Sequence, residues 1–166
     1  MKRIILLTAT IIYGCILTTS CDEGNECSVD IDPAPTPICF IVKDADGNNL
    51  LDNKFEGNII DNGISVTYNG GNYPLTLSEY DPYGERGLYI GEIGADKIPG
   101  LLFGFFYIGK DRGESEFIIN WGNGTSDNVK FQYYYNVVRC NPEAHRKIYL
   151  NRTLQSGNSL TATIIK

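Results

Sequence analysis

The stretch Phe117-Ile118-Ile119-Asn120-Trp121-Gly122-Asn123-Gly124-Thr125-Ser126-Asp127-Asn128-Val129-Lys130-Phe131-Gln132-Tyr133-Tyr134-Tyr135-Asn136-Val137 decides the fold class. Phe117, Ile119 and Trp121 share one face of an extended segment, and Ile118 and Asn120 share the other. Gly122 to Asn128 reads as a turn, with glycines that permit a tight reversal. Val129, Phe131, Tyr133, Tyr135 and Val137 then alternate with Lys130, Gln132, Tyr134 and Asn136. Two period-2 segments around a glycine-rich turn predict a β-hairpin with one aromatic face buried. Burying such a face contributes about 1.5–3 kcal/mol per large side chain.

The same signals recur on either side. Ile38 to Lys43 is apolar and β-branched, the turn Asp44-Ala45-Asp46-Gly47-Asn48-Asn49 follows, and Leu50-Leu51 returns the chain to the core. Gly57 to Asp61 reads as a short strand closed by Asn62-Gly63. Ile64, Val66 and Tyr68 alternate with Ser65 and Thr67, Asn69-Gly70-Gly71 supplies a hairpin turn, and Tyr73 to Leu77 is the return strand. Ser78 to Arg86 is a loop and Leu88 to Ile93 a strand. Leu101 to Ile108 has strand length and reads as a central strand covered on both faces, with Lys110 to Glu114 as its turn. Asn141 to Arg146 is polar, with one helical turn expected after Pro142. Lys147 to Leu150 and Leu160 to Ile165 form the last expected strand pair. Roughly eight or nine short strands with frequent turn signals and almost no helix predict an all-β fold, an antiparallel two-layer β-sandwich.

The first residues follow another logic. Lys2 and Arg3 precede an almost unbroken apolar run from Ile4 to Leu17, then small Thr18, Thr19 and Ser20, then Cys21. That order is a secretory signal over residues 1–20, and its apolar run falls short of the roughly 20 residues of a transmembrane helix. Leu17-Thr18-Thr19-Ser20-Cys21 resembles a bacterial lipobox, with the aliphatic Leu17 one place earlier than usual and Thr18 in its stead. The resemblance implies acyl chains on Cys21, which turn a secreted chain into an anchored one. Residues 21–37 read as an acidic, proline-rich tether. Asp22, Glu23 and Glu26 resemble the acidic export tag of surface lipoproteins in Bacteroides-type bacteria, which implies the outer face of the outer membrane. Pro33, Pro35 and Pro37 keep the tether extended. Residues 38–166 form the folded domain.

Removing residues 1–20 leaves 146 of the 166 residues, enough for one domain with a sizeable core. Loss of Lys2 and Arg3 takes the formal net charge from −6 to −8. An acidic surface disfavours nucleic acid as a partner. It also repels anionic lipid, so membrane attachment falls to the acyl chains. Beyond Cys15 and Cys21 the cysteines are Cys27, Cys39 and Cys140. An oxidising compartment pairs two of these and leaves one over. A Cys39–Cys140 bridge closes a long loop, a Cys27–Cys39 bridge pins the tether, and spacing leaves the pairing open.

The candidate chemistry is sparse. Asp44, Asp46, Asn48 and Asp52 follow the oxygen spacing at the start of a calcium loop. Asn49 stands where that loop needs glycine and Phe55 where it needs glutamate, so these side chains are expected to cap a turn. His145 is the only histidine and has no nucleophile motif beside it, so it is expected at the surface or in a structural role. Tyr80, Tyr83 and Tyr89, with Tyr133-Tyr134-Tyr135, offer a sugar- or peptide-binding platform. No cofactor, metal or catalytic residue is expected.

Ile38-Cys39-Phe40-Ile41-Val42-Lys43-Asp44 with Gly47 and Leu50-Leu51-Asp52, Phe117 through Thr125, His145 through Asn151, and Thr163-Ile164-Ile165-Lys166 together resemble lipoproteins of Bacteroides-type bacteria. The resemblance implies an immunoglobulin-like or transthyretin-like sandwich at the cell surface and brings no catalytic residues with it. Asn120-Trp121-Gly122-Asn123-Gly124 also resembles the hairpin of PKD domains, a shared turn solution. The expected role is non-enzymatic: binding a glycan or protein, or serving a surface complex as an accessory. A structural subunit and a small carbohydrate-active enzyme are the rivals. The first predicts an open sheet edge, the second a cleft with converging acids.

Overall fold

A computed structural model describes residues 36–76, 87–106, 113–138, 141–157 and 159–166. The expected signal segment, Cys21, Cys27, most of the expected tether, Tyr80, Tyr83 and Cys140 lie outside the described residues.

The body is all-β, as expected. Ten strands follow in chain order: β1 Thr36–Lys43, β2 Ser65–Tyr68, β3 Gly71–Thr76, β4 Leu88–Ile93, β5 Ile98–Phe106, β6 Gly113–Asn120, β7 Ser126–Val138, β8 Asn141–Leu150, β9 Thr153–Gly157 and β10 Thr161–Ile165. They form one sheet in the order β10-β1-β5-β4-β3-β2-β6-β7-β8-β9. The pairing corrects the expectation of two separate antiparallel sheets, because the sheet is continuous and mixed. β1 pairs β10 in parallel, and β3 pairs β4 in parallel.

β3 is the corner of the sheet. Gly71 to Pro74 pair with β2, while Leu75 and Thr76 pair with β4. Pro74 sits at the switch and has no N–H to offer a ladder. A strand that changes partners in this way turns a sheet back on itself. β9 and β10, the two ends of the sheet, come into contact. The body is therefore nearly a barrel, with a seam between β9 and β10 that no ladder closes among the described residues.

The core lies between the facing halves. Phe40 and Phe103 come from one half, Phe117 and Phe131 from the other, and all are buried. Phe103 and Phe117 pack with ring centroids 4.9 Å apart, and Phe40 meets Phe117 edge-on at 6.2 Å. Trp121 is buried just after β6. Leu101, Leu102, Phe103 and Gly104 are all buried, so β5 is covered on both faces as its apolar run implies.

Several local expectations change, and β6 begins at Gly113 and β7 at Ser126, inside the segments expected as turns. Gly57 to Asp61 forms no strand: a 3-10 turn covers Ile60–Asn62 instead. Asn141 to Arg146 is strand and not a helical turn, because the long β7 provides ladder partners from Val129 to Val138. Pro142 is tolerated there because β9 reaches only Lys147 to Leu150, which leaves the far side of Pro142 without a ladder neighbour among the described residues. Finally, β10 pairs with β1, while Lys147 to Leu150 pair with β9, so the expected last strand pair does not form.

Candidate functional site

The outward face of β6, β7 and β8 carries a row of polar and aromatic side chains. Register sets it: Gln132 lies opposite Glu114 on one side and Lys147 on the other, and Tyr134 lies opposite His145. Alternation sends these side chains out while Phe117, Phe131 and Ile148 point into the core. Tyr134 and His145 stack with their rings nearly parallel, centroids 4.5 Å apart and an interplanar angle of 11°. Beside them is a groove of about 500 Å³ lined by Gly113, Glu114, Gln132, Tyr133, Tyr134, His145 and Lys147.

The acid in this groove is engaged. Gln132 Nε2 donates to Glu114 Oε2 at 2.9 Å, and Lys130 Nζ lies 2.5 Å from Oε1. The Gln132 hydrogen bond and then the Lys130 partner hold the Glu114 carboxyl below its ordinary range, and Lys130 is raised in return by Glu114. Glu114 is thus fixed as a hydrogen-bond acceptor. Gly113 makes room for Tyr133: a Cβ there would come within 2.0 Å of the ring. Tyr133 stacks on Phe131 at 5.3 Å and so ties the groove to the core.

A second polar constellation is more enclosed. Asp127 is the buried charged residue among those described, at 7% exposure. Its Oδ2 accepts from Trp121 Nε1 at 2.8 Å and from Lys166 Nζ, and its Oδ1 accepts from Asn151 Nδ2 at 2.7 Å. Asn151 Oδ1 accepts from the Asn128 N–H at 2.9 Å. The Lys166 ammonium also lies 4.5 Å from the Trp121 ring centroid, a cation–π contact. Burial pushes the Asp127 carboxyl up, but the hydrogen bonds from Lys166, Asn151 and Trp121 outweigh it and hold the group below its ordinary value. The glycine-rich spacing places Asp127 in a turn. β7 begins at Ser126, and Asp127 shares the inward parity of Val129 and Phe131, which was the signal that could have found it.

The other expected residues fall as follows. Asp44 Oδ1 accepts from the N–H of Asp46 at 3.0 Å and of Asn48 at 2.8 Å, and Oδ2 accepts from Asn48 Nδ2 at 2.8 Å. Asp52 Oδ1 accepts from the Lys54 N–H at 2.9 Å. These carboxylates cap turns, and no group of three or more His, Cys, Asp or Glu side chains converges on a metal position among the described residues. Cys39 carries a free thiol, pushed up by burial, with Sγ 3.8 Å from the Pro37 carbonyl oxygen to which it donates. A further groove of about 490 Å³ lies between the 51–61 segment and β4, where Glu92 and Lys97 approach to 3.4 Å. That pair is largely exposed, and such pairs contribute little. Among the described residues no helix is long and apolar enough to cross a membrane.

No protein-family model matches the chain, and neither a curated protein nor a solved structure matches it.

Proposed function

We propose that this chain is a lipid-anchored surface protein of the cell envelope whose β-body binds a glycan without chemical turnover. Acyl chains on Cys21 are the anchor, and the place is the outer membrane of a Bacteroides-type bacterium. The body is read as an immunoglobulin-like or transthyretin-like sandwich rolled toward a barrel; its support is the packing of two facing halves. The observation that carries the binding reading is the Tyr134–His145 stack beside the Glu114–Gln132 pair, on one face of three adjacent strands. Aromatic surface next to fixed acceptors and donors suits a sugar, which offers C–H faces and hydroxyl edges.

An array of defined oligosaccharides probed with the purified full chain tests this. Binding is expected for wild type and at least about tenfold weaker for Tyr134→Ala and Gln132→Ala, a loss of about 1.4 kcal/mol or more. No bound glycan, or binding unchanged in both variants, overturns the reading. A structural-subunit role is the second reading. It is favoured by the β9–β10 seam, near which Leu154 and Ile165 are 51% and 62% exposed.

A further inference from the structure

A single carboxylate, Asp127, holds a primary amine on one oxygen and a primary amide on the other. Lys166 Nζ sits on Oδ2 and Asn151 Nδ2 on Oδ1. From this juxtaposition we infer that Lys166 and Asn151 form an intramolecular amide cross-link, with Asp127 as the proton carrier.

Each requirement of the step has a group in place. The nucleophile is the Lys166 amine, packed against the buried Trp121 ring. The electrophile is Cγ of Asn151. Its carbonyl oxygen already accepts the Asn128 N–H at 2.9 Å, the donor that a developing oxyanion requires. The Asn151 N–H, which donates to the Asn128 carbonyl at 2.8 Å, holds the residue in register.

The atoms balance. The pair begins as ammonium and carboxylate, and Oδ2 takes one proton from Nζ. The freed lone pair forms the Nζ–Cγ bond. As the Cγ–Nδ2 bond breaks, the departing nitrogen collects the proton held by Asp127 and a second from the attacking nitrogen. Ammonium leaves, an amide joins the two side chains, and Asp127 is again a carboxylate. No oxidant or other reactant enters. The bond would tie the residue after β10 to the turn between β8 and β9, across the end of the β9–β10 seam.

Mass spectrometry of the intact chain and of its tryptic digest tests this, with Lys166→Arg as the comparison that keeps the charge on Asp127. Wild type is expected to be lighter than its sequence by about 17 Da, the mass of ammonia, and Lys166→Arg is not. The digest should contain Ile148–Arg152 joined to Thr153–Lys166 through Asn151 and Lys166, read by tandem fragmentation. No deficit in wild type overturns the inference. So does the same deficit in both proteins, which marks a succinimide at an Asn-Gly step such as Asn123-Gly124. A deficit of about 18 Da with the branch at Asp127 also overturns it, by moving the bond to the acid.

Discussion

The indole N–H of Trp121 reaches across the turn between β6 and β7 to donate to Asp127 at 2.8 Å. The turn is therefore closed from the inside as well as by its backbone bond, Trp121 N–H to Thr125 carbonyl at 3.1 Å. Trp121 fills the core and caps the carboxylate with one side chain, the dual use that indole allows. Asp127→Ala leaves the Trp121, Asn151 and Lys166 donors without their shared acceptor. A loss of about 3 kcal/mol of unfolding free energy is expected. Trp121 is the only tryptophan, so its fluorescence in a urea titration reads the loss directly. A change under about 0.5 kcal/mol, the size of an ordinary surface substitution, would make the network irrelevant to stability.

The same carboxylate gives stability a pH dependence with a defined sign. As long as Lys166 remains an ammonium, the folded pKa lies below the unfolded value of about 3.9. The unfolded chain therefore takes up the proton first, and stability falls as acid is added. The Asp127 contribution is present in full above the unfolded pKa and is lost as pH drops through the folded one. Urea midpoints measured downward from pH 6 should fall below about pH 4, and less steeply in Asp127→Asn. A parallel fall in the variant would assign the acid sensitivity to other carboxylates, Glu114 among them.

Gly122 is fixed by two separate demands. Its φ is +73°, and a Cβ would lie 1.7 Å from the Asn62 carbonyl oxygen. The 3-10 turn at Ile60–Asn62 thus presses directly on the hairpin. Gly124 has φ +84° with nothing within 4 Å of its would-be Cβ. Gly124→Ala should cost about 1–2 kcal/mol, the conformational penalty alone. Gly122→Ala should cost more than about 4 kcal/mol or give no folded chain. Equal losses in thermal unfolding would show that the Asn62 contact yields freely.

What the sequence made legible was whatever alternates. Phe117, Ile119, Val129 and Phe131 announce a face by their spacing, and all are buried. Local capping was legible too, since Asp44 holds its own turn. Pairing between distant strands was not. Nothing in Thr161 to Ile165 indicates a parallel partner 120 or so positions earlier, because parallel register depends on crossovers and on which edge is free. The start of β8 is not legible locally, because polar residues and Pro142 resemble a turn when no neighbour is known. Tyr134 and His145 stand out as residue types, but their stacking depends on the β7–β8 register, which pairs positions eleven apart in the chain.

Anchoring has its own test, argued from charge. Without residues 1–20 the chain carries a formal charge of −8, so the attraction of basic patches to anionic lipid cannot hold it at a membrane. Acyl chains can, at about 0.8 kcal/mol per buried methylene, and two chains give stable attachment where one is marginal. Cys21→Ala removes the proposed attachment point and leaves the charge unchanged. In cells fed radiolabelled palmitate, wild type should carry label and sediment with the outer membrane, while Cys21→Ala should carry none. Equal labelling of the two proteins would move the lipid to another cysteine, and an unlabelled wild type would remove the anchor from the account altogether.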